Sequence, residues 1–355
     1  MKVVSAIIGG QIGSEGKGKI AGYIACKDNI KYAINNFFPN AGHTWKLGKN
    51  KVVVHQLPIA LVNKNTQLLI GPAAAVDLDK LIEEINTYDS QFKVRERLKI
   101  SPRAVVVQKY HREQEKKDSN LLNISSTQTG GAAAYIEKIM RKSSVKLCRD
   151  EPELTDFIAQ NGTDIILHNA IDSGESIVIE GAQGFELDIN HGFDFPHCTS
   201  RQTNLAQMVA DCGIPIDALK NIYCVIRPFP IRVGGQSGPW SKQELRWEDI
   251  EQNAGMPIGH LKEKEYSTTT HKRRRVFAFD FERLKLMVKI YTPSDFCLNH
   301  VDYINHKDFG IKQFKLLSNE SQQFIKKIEN ETDVPVTLIG TGPDNEHIID
   351  RRKER

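Results

Sequence analysis

The stretch Gly9-Gly10-Gln11-Ile12-Gly13-Ser14-Glu15-Gly16-Lys17-Gly18-Lys19 decides how the chain is read. It follows Val3-Val4-Ser5-Ala6-Ile7-Ile8, an apolar run that predicts a buried strand. Ile20, Tyr23 and Ile24 then recur at helical spacing. A glycine-rich turn between a strand and a helix leaves backbone N–H groups free at a helix N-terminus, a geometry that binds phosphates. Lys17 and Lys19 add positive charge where a polyphosphate would lie. The turn departs from the usual Walker loop, since five residues separate Gly10 from Gly16 and Gly18 follows Lys17. It is either a flexible loop with solvated lysines or a phosphate loop of a non-standard kind. Its place after a strand favours the second.

The 355 residues are 40% hydrophobic, enough for one large α/β domain or two smaller ones. No apolar run approaches the roughly 20 residues needed to span a bilayer. The N-terminal run reads as a strand and not as a secretory signal, which predicts a cytoplasmic protein without a membrane partner. The net charge of +4, from 48 basic and 44 acidic residues, is too balanced for a nucleic-acid-binding protein. The six cysteines show no Cys-x-x-Cys spacing, so buried free thiols are expected rather than zinc or a redox pair.

Strand-like and helical runs alternate, which predicts an α/β fold with a mainly parallel central sheet flanked by helices. Strands are expected over residues 51–55, 68–70, 176–180, 222–226, 296–298 and 334–339, and a helix over 78–85 with Asp77 or Asp79 at its start. The mixed-charge run 111–118 reads as a solvated helix face, and the basic tail 351–355 as frayed.

Several polar loops carry chemistry. In Asn40-Ala41-Gly42-His43-Thr44, Gly42 permits close backbone approach to a ligand, and His43 is either structural or faces that ligand. Ser126-Thr127-Gln128-Thr129-Gly130-Gly131 leads into a helix containing Lys138 and Arg141, and reads as a phosphate contact or a plain helix cap. The strand ending at Glu180 opens into Gly181-Ala182-Gln183-Gly184, where Gln183 offers a donor and an acceptor to a base edge. Thr199-Ser200 offers further hydroxyls. The run 267–275 joins hydroxyls to a basic cluster suited to carboxylates, since arginine forks match them bidentately. Asp302, after the strand ending at Leu298, is placed to read a purine edge or to cap a turn. Gly340-Thr341-Gly342-Pro343-Asp344 follows the last strand.

Six of these loops, in order, resemble adenylosuccinate synthetase: 10–19, 40–44, 180–184, Arg232-Val233-Gly234, Thr269-Thr270 with the arginines after it, and 341–344. The resemblance implies a single domain over 1–355 with inserted substrate loops. It also implies a C–N ligase that phosphorylates the 6-oxygen of a purine nucleotide and displaces the phosphate with the amine of L-aspartate. Ser14, Lys17, His43 and Gln183 would be catalytic, with His43 a general acid. Gly13, Glu15, Gly16, Lys17, Gly18, Lys19, Gly42, His43, Thr44, His300, Asp302, Gly340, Thr341, Gly342 and Pro343 would hold the nucleoside triphosphate. Ser14, Asn40, Ser126, Thr127, Arg141, Gln183, Thr199 and Gly234 would hold the substrate nucleotide, with Arg141 reaching across a homodimer interface. Thr269, Thr270, Lys272, Arg273 and Arg274 would take the aspartate. Mg²⁺ is the implied cofactor, with Ser14 and Gly42 as its protein ligands.

The chain departs from the family at Ser14, where ordinary members carry an aspartate that removes the N1 proton of IMP and helps hold Mg²⁺. A short hydroxyl leaves room for a 2-amino group and can accept its hydrogen bond. This is similar to the viral branch of the family, which makes N6-succino-2-amino-2′-deoxyadenylate from dGMP for 2-aminoadenine DNA. A bacteriophage origin and the cytoplasm of an infected bacterium are then implied. Lys272 stands where an arginine is usual. His300 stands where the guanine-reading lysine is usual, which favours ATP or dATP over GTP. The alternatives are an inactive enzyme, a conventional enzyme using IMP and GTP, and a nucleotide-binding regulatory switch.

Overall fold

The structure, a computed structural model, describes residues 1–262, 264–267 and 272–354. Nine strands form the central sheet: β1 (Val4–Gly9), β2 (Tyr32–Asn35), β3 (Gln67–Ile70), β4 (Leu98–Ile100), β5 (Ile177–Glu180), β6 (Leu219–Ile226), β7 (Asp295–Leu298), β8 (Val336–Gly340) and β9 (Ile348–Asp350). Their order is β9-β8-β7-β6-β1-β5-β2-β3-β4. All neighbours are parallel except β9, which runs antiparallel to β8. The predicted mainly parallel sheet flanked by helices is therefore the fold.

β1 and β5 are buried along their whole length, as the continuous apolar runs require of strands covered on both faces. Their register, Val4 beside Ile177 and Ile7 beside Glu180, brings the loops after the two strands to the same edge. Helix α1 (Lys17–Lys27) packs Ile20, Ala21, Ile24 and Ala25 into the core on one sheet face. The other face is covered through Leu284, Met287, Ile325 and Ile328. Helix Leu78–Phe92 starts where expected, with the Asp77 side chain accepting from the Lys80 N–H at 3.3 Å.

Four expectations need correction. The 40–44 loop ends early, because His43 and Thr44 open a strand (His43–Leu47) paired with Asn50–Val54. The 111–118 run is not wholly solvated: His111 and Glu115 are buried, and Glu115 accepts from the Gly130 and Ala133 N–H groups at 2.7 and 3.1 Å. The basic tail is pinned at Arg352, which pairs with Asp28 and Asp350 at 2.7 Å each. Of the free thiols, Cys148, Cys212, Cys224 and Cys297 are buried, but Cys26 is exposed and Cys198 half-buried. Among the described residues, no helix is long and apolar enough to cross a membrane.

Candidate active site

In a parallel sheet the loops that follow the strands converge beyond their carboxyl ends, and ligands sit there. Here the loops after β1, β2, β5, β6, β7 and β8 border one cavity of ≈ 1160 Å³. It is lined by Gly13, Ser14, Gly16, Lys17, Gly18, Asn40, Gly42, His43, Thr44, Ser126, Thr127, Gln183, Thr199, Arg274, His300, Asp302, Gly342 and Pro343 among others. The structure thus brings together most of the residues selected from the sequence.

The phosphate-type loop is held from beneath by Glu15, which is fully buried. Its Oε1 accepts from the Gly13 N–H at 2.7 Å, and its Oε2 pairs with Lys17 Nζ at 2.6 Å. Gly184 gives the loop room: a Cβ there would lie 2.4 Å from Gln11 O and 2.6 Å from Gly13 N. Gly16 caps α1 with φ 93° and lines the cavity together with Lys17 and Gly18 at the start of the helix, while the Lys19 N–H is taken by the Gly16 carbonyl at 3.1 Å. Ser14 has φ 56° and an exposed side chain on the cavity wall.

Lys19 Nζ donates to the Gly342 and His347 carbonyls at 2.6 and 2.9 Å, so this lysine ties the 340–343 loop to α1. Burial lowers its amine to about 7, opposed by Asp302 and Asp344. Glu15, Lys19, Gly340 and Thr341 support the cavity from behind and do not line it. Close packing explains Gly340, where a Cβ would meet Asn299 Oδ1 at 2.3 Å.

His43 packs beside the start of α1, where a Cβ on Gly18 would meet its Cβ at 2.9 Å, and its ring stands edge-on to Phe37 at 4.7 Å between centroids. Its Nδ1 stands 3.5 Å from Glu180 Oε2. That carboxylate is itself fixed by the Ile59 and Ala60 N–H groups at 3.0 and 2.9 Å. With Nδ1 turned to Glu180, Nε2 is the nitrogen left for a ligand. At 3.5 Å the two groups are in contact, and Nδ1 has no hydrogen-bond partner among the described residues.

The third wall is a buried ion network. Arg227 and Arg274 both donate to Glu265, at 3.3 and 3.1 Å, and the Tyr303 hydroxyl donates to it at 2.7 Å. Burial acts to raise the Glu265 carboxyl, but Arg227 and Arg274 outweigh it and hold it at about 2. Desolvation, then Arg227, keep the His300 imidazole well below its ordinary range, hence neutral. Asp302 is buried with Oδ1 lacking a hydrogen-bond partner among the described residues, and burial raises its carboxyl to about 6. An unpaired buried acceptor on a cavity wall fits a ligand N–H.

Some selected residues stand elsewhere. Arg141 lies beyond the end of helix Gly131–Ile139, is exposed, and does not line the cavity of its own chain. Gly234 packs against the basic segment, where a Cβ would meet Arg273 O at 2.3 Å. Lys272 is exposed and Arg273 pairs outward with Glu248 at 3.1 Å, leaving Arg274 as the described arginine of the cluster on the cavity. Thr269 and Thr270 lie outside the described residues. The sequence reading missed Arg227, Glu265 and Tyr303 and gave Glu180 no role. An arginine directly after the apolar run of β6 was the available signal for Arg227.

Among the described residues no group of three His, Cys, Asp or Glu side chains is arranged for a metal ion. Ser14 and Gly42, which line the same cavity as Lys17, carry a hydroxyl and a carbonyl. Mg²⁺ takes oxygen ligands and relies on phosphate oxygens and water where carboxylates are few, so this donor set fits an ion that arrives with a triphosphate.

A family profile, adenylosuccinate synthetase, matches residues 6–161 and 145–309. The adenylosuccinate synthetase of Methanocaldococcus jannaschii is 34% identical over 350 residues, covering 98% of this chain and 96% of that protein. The enzyme of the same name from Thermococcus sibiricus is 34% identical over 351 residues, covering 98% of each. Among solved structures, fully ligated adenylosuccinate synthetase from Plasmodium falciparum shares the fold with a TM-score of 0.86 at 21% identity, covering 99% of this chain and 100% of that one. The succinoaminodeoxyadenylate synthetase of cyanophage S-2L, bound to dGMP and to dATP as an energy donor, superposes with a TM-score of 0.81 at 27% identity, covering 99% and 96%. The profile match and the near full-length identities, on a site whose loops the sheet gathers at one edge, place the chain in the adenylosuccinate synthetase family, a family of C–N ligases.

Proposed function

We propose that the protein joins L-aspartate to the 6-position of dGMP, with ATP or dATP as energy donor, giving N6-succino-2-amino-2′-deoxyadenylate, ADP or dADP, and phosphate. The observation that carries this reading is Ser14, an exposed hydroxyl on the cavity wall where the family resemblance expects an aspartate. A carboxylate there would crowd a 2-amino group, whereas a hydroxyl accepts its hydrogen bond. The solved cyanophage enzyme with dGMP and dATP supports the reading. So does His300, which stands neutral where a charged lysine is expected.

In the reaction the N1 proton of the base is released to solvent as the 6-oxygen attacks the γ-phosphorus, and the nucleoside diphosphate leaves. The aspartate amine then adds at C6, loses a proton, and phosphate departs with the former 6-oxygen. Lys17 and the N–H groups at the start of α1 hold the triphosphate charge. Ser14 and Gly42 would hold Mg²⁺ together with phosphate oxygens, and the ion would supply charge neutralisation there. His43 presents Nε2 as general acid, and the Gln183 amide holds the 6-oxygen region. Arg274 takes an aspartate carboxylate, and Asp302 accepts from the donor base. Exposed Ile136, Ile139 and Met140 beside Arg141 support a homodimer in which Arg141 serves the partner's site.

A second reading, IMP with GTP, is favoured by the 34% identity to archaeal enzymes named adenylosuccinate synthetase. A panel of dGMP, GMP, IMP and dIMP with Mg²⁺, aspartate and ATP or GTP separates the two. Product from dGMP supports the proposal, and product from IMP alone rejects it. Ser14→Asp should cut turnover of dGMP by about tenfold or more, the scale of one lost or clashing polar contact. Unchanged preference removes Ser14 as the discriminating residue.

A further inference from the structure

Arg274 approaches the cavity on a rigid mount. Its Nη1 donates to Glu265 Oε2 at 3.1 Å, and its backbone N–H donates to the Glu265 carbonyl at 2.8 Å. Its Nε is buried with no hydrogen-bond partner among the described residues, so donors of the fork remain for a ligand carboxylate. The other face of Glu265 holds Arg227, which is nearly fully buried. Arg227 in turn donates to the Ser14 carbonyl at 3.4 Å, and its backbone exchanges two 3.0 Å hydrogen bonds with the Gln11 side chain. One buried carboxylate therefore stands between the turn that carries Ser14 and the arginine that faces the amino acid. Two guanidinium groups share that single carboxylate, which leaves the wall positively charged.

We propose that Glu265 is a positioning residue for amino-acid binding: it sets the Arg274 fork at the cavity wall and ties it, through Arg227, to the Ser14 turn. This rests on the reading that Arg274 receives an aspartate carboxylate. An arginine side chain loses much rotamer freedom when it grips a ligand, and a fork already held by Glu265 spares part of that cost. A neutral amide at this position leaves the fork free to swing and removes the shared charge.

The test measures two things on Glu265→Gln: the KM for aspartate, and ¹⁸O scrambling between the β,γ-bridge and non-bridge positions of labelled ATP. The scrambling is run with the purine nucleotide the enzyme turns over and without aspartate, so that it reports 6-oxygen phosphorylation alone. The expected result is a rise of tenfold or more in the KM for aspartate, with scrambling kept within threefold. An unchanged KM in folded protein overturns the proposal, as does a parallel loss of both readouts, which marks a general structural role. If Glu265→Gln does not fold, Tyr303→Phe decides. It removes the 2.7 Å hydrogen bond to Glu265 without stranding a charge and should raise the KM for aspartate severalfold with scrambling intact. No change there overturns the proposal. Arg274→Lys separates the two readings: a normal KM for aspartate in this variant rejects the role of Arg274 itself, whereas a raised one beside a normal Glu265→Gln rejects only the positioning by Glu265.

Discussion

Glu15→Gln tests how the phosphate-binding loop is held. In the wild-type chain the carboxylate accepts from Gly13 N–H at 2.7 Å and pairs with Lys17 Nζ at 2.6 Å, with both side chains almost wholly buried. Glutamine keeps the volume and one oxygen. Whichever contact that oxygen keeps, the amide N–H₂ then faces a donor. Breaking one side of a buried ion pair costs about 3–5 kcal/mol, and the surviving contact puts the expected loss at about 3 kcal/mol. With a urea m-value of about 3 kcal/mol/M, the unfolding midpoint should fall by about 1 M. Urea titration followed by tryptophan fluorescence measures it. Glu15→Gln combined with Lys17→Met removes both charges and should recover much of the loss. A midpoint shift under about 0.3 M, or a double variant as unstable as the summed singles, would refute the claim that this pair holds the loop.

Two further outcomes follow from the site. Glu180→Gln should lower kcat about 10- to 100-fold, the scale of a misoriented general acid, with the KM for the nucleotide within threefold; a normal kcat would leave Glu180 a structural residue only. Asp302, raised to about 6 by burial, accepts its strongest, charge-assisted hydrogen bonds when ionised, and protonation turns one of its oxygens into a donor. The KM for the triphosphate should therefore rise as pH falls through about 6, and Asp302→Asn should flatten that dependence. A wild-type KM that is level from pH 5 to 8 would show that Asp302 does not read the donor base.

The fold was legible where the chain alternates long apolar strands with glycine-bearing loops. β1 and β5 are buried on both faces, and such strands leave continuous Val and Ile runs that need no tertiary information to be seen. The loops at their ends were legible for the same reason, because a glycine or amide directly after a buried strand has few structural roles. What stayed hidden depends on contacts between distant segments. Glu265 looks like one more charge in a charged run, and only the sheet order brings it to Arg227 and Tyr303. His43 reads as a loop residue because the strand it opens is short, and its Glu180 partner, distant in sequence, is brought beside it only when β5 pairs with β2. The basic cluster read as one clamp, yet its members diverge, since Arg273 finds Glu248 outside while Arg274 finds Glu265 within. The 351–355 tail looked free because the Arg352 partners, Asp28 and Asp350, only come together when β9 docks beside β8.

The substrate assignment rests on the base that occupies the wall beside Ser14. The most direct measurement is a single competition: equal dGMP and IMP with ATP, Mg²⁺ and aspartate, the products resolved by mass spectrometry before either nucleotide is depleted. The expected dominant succinylated product is the 2-amino-substituted deoxynucleotide. Succinylated product from IMP, with dGMP left unreacted, would contradict the assignment.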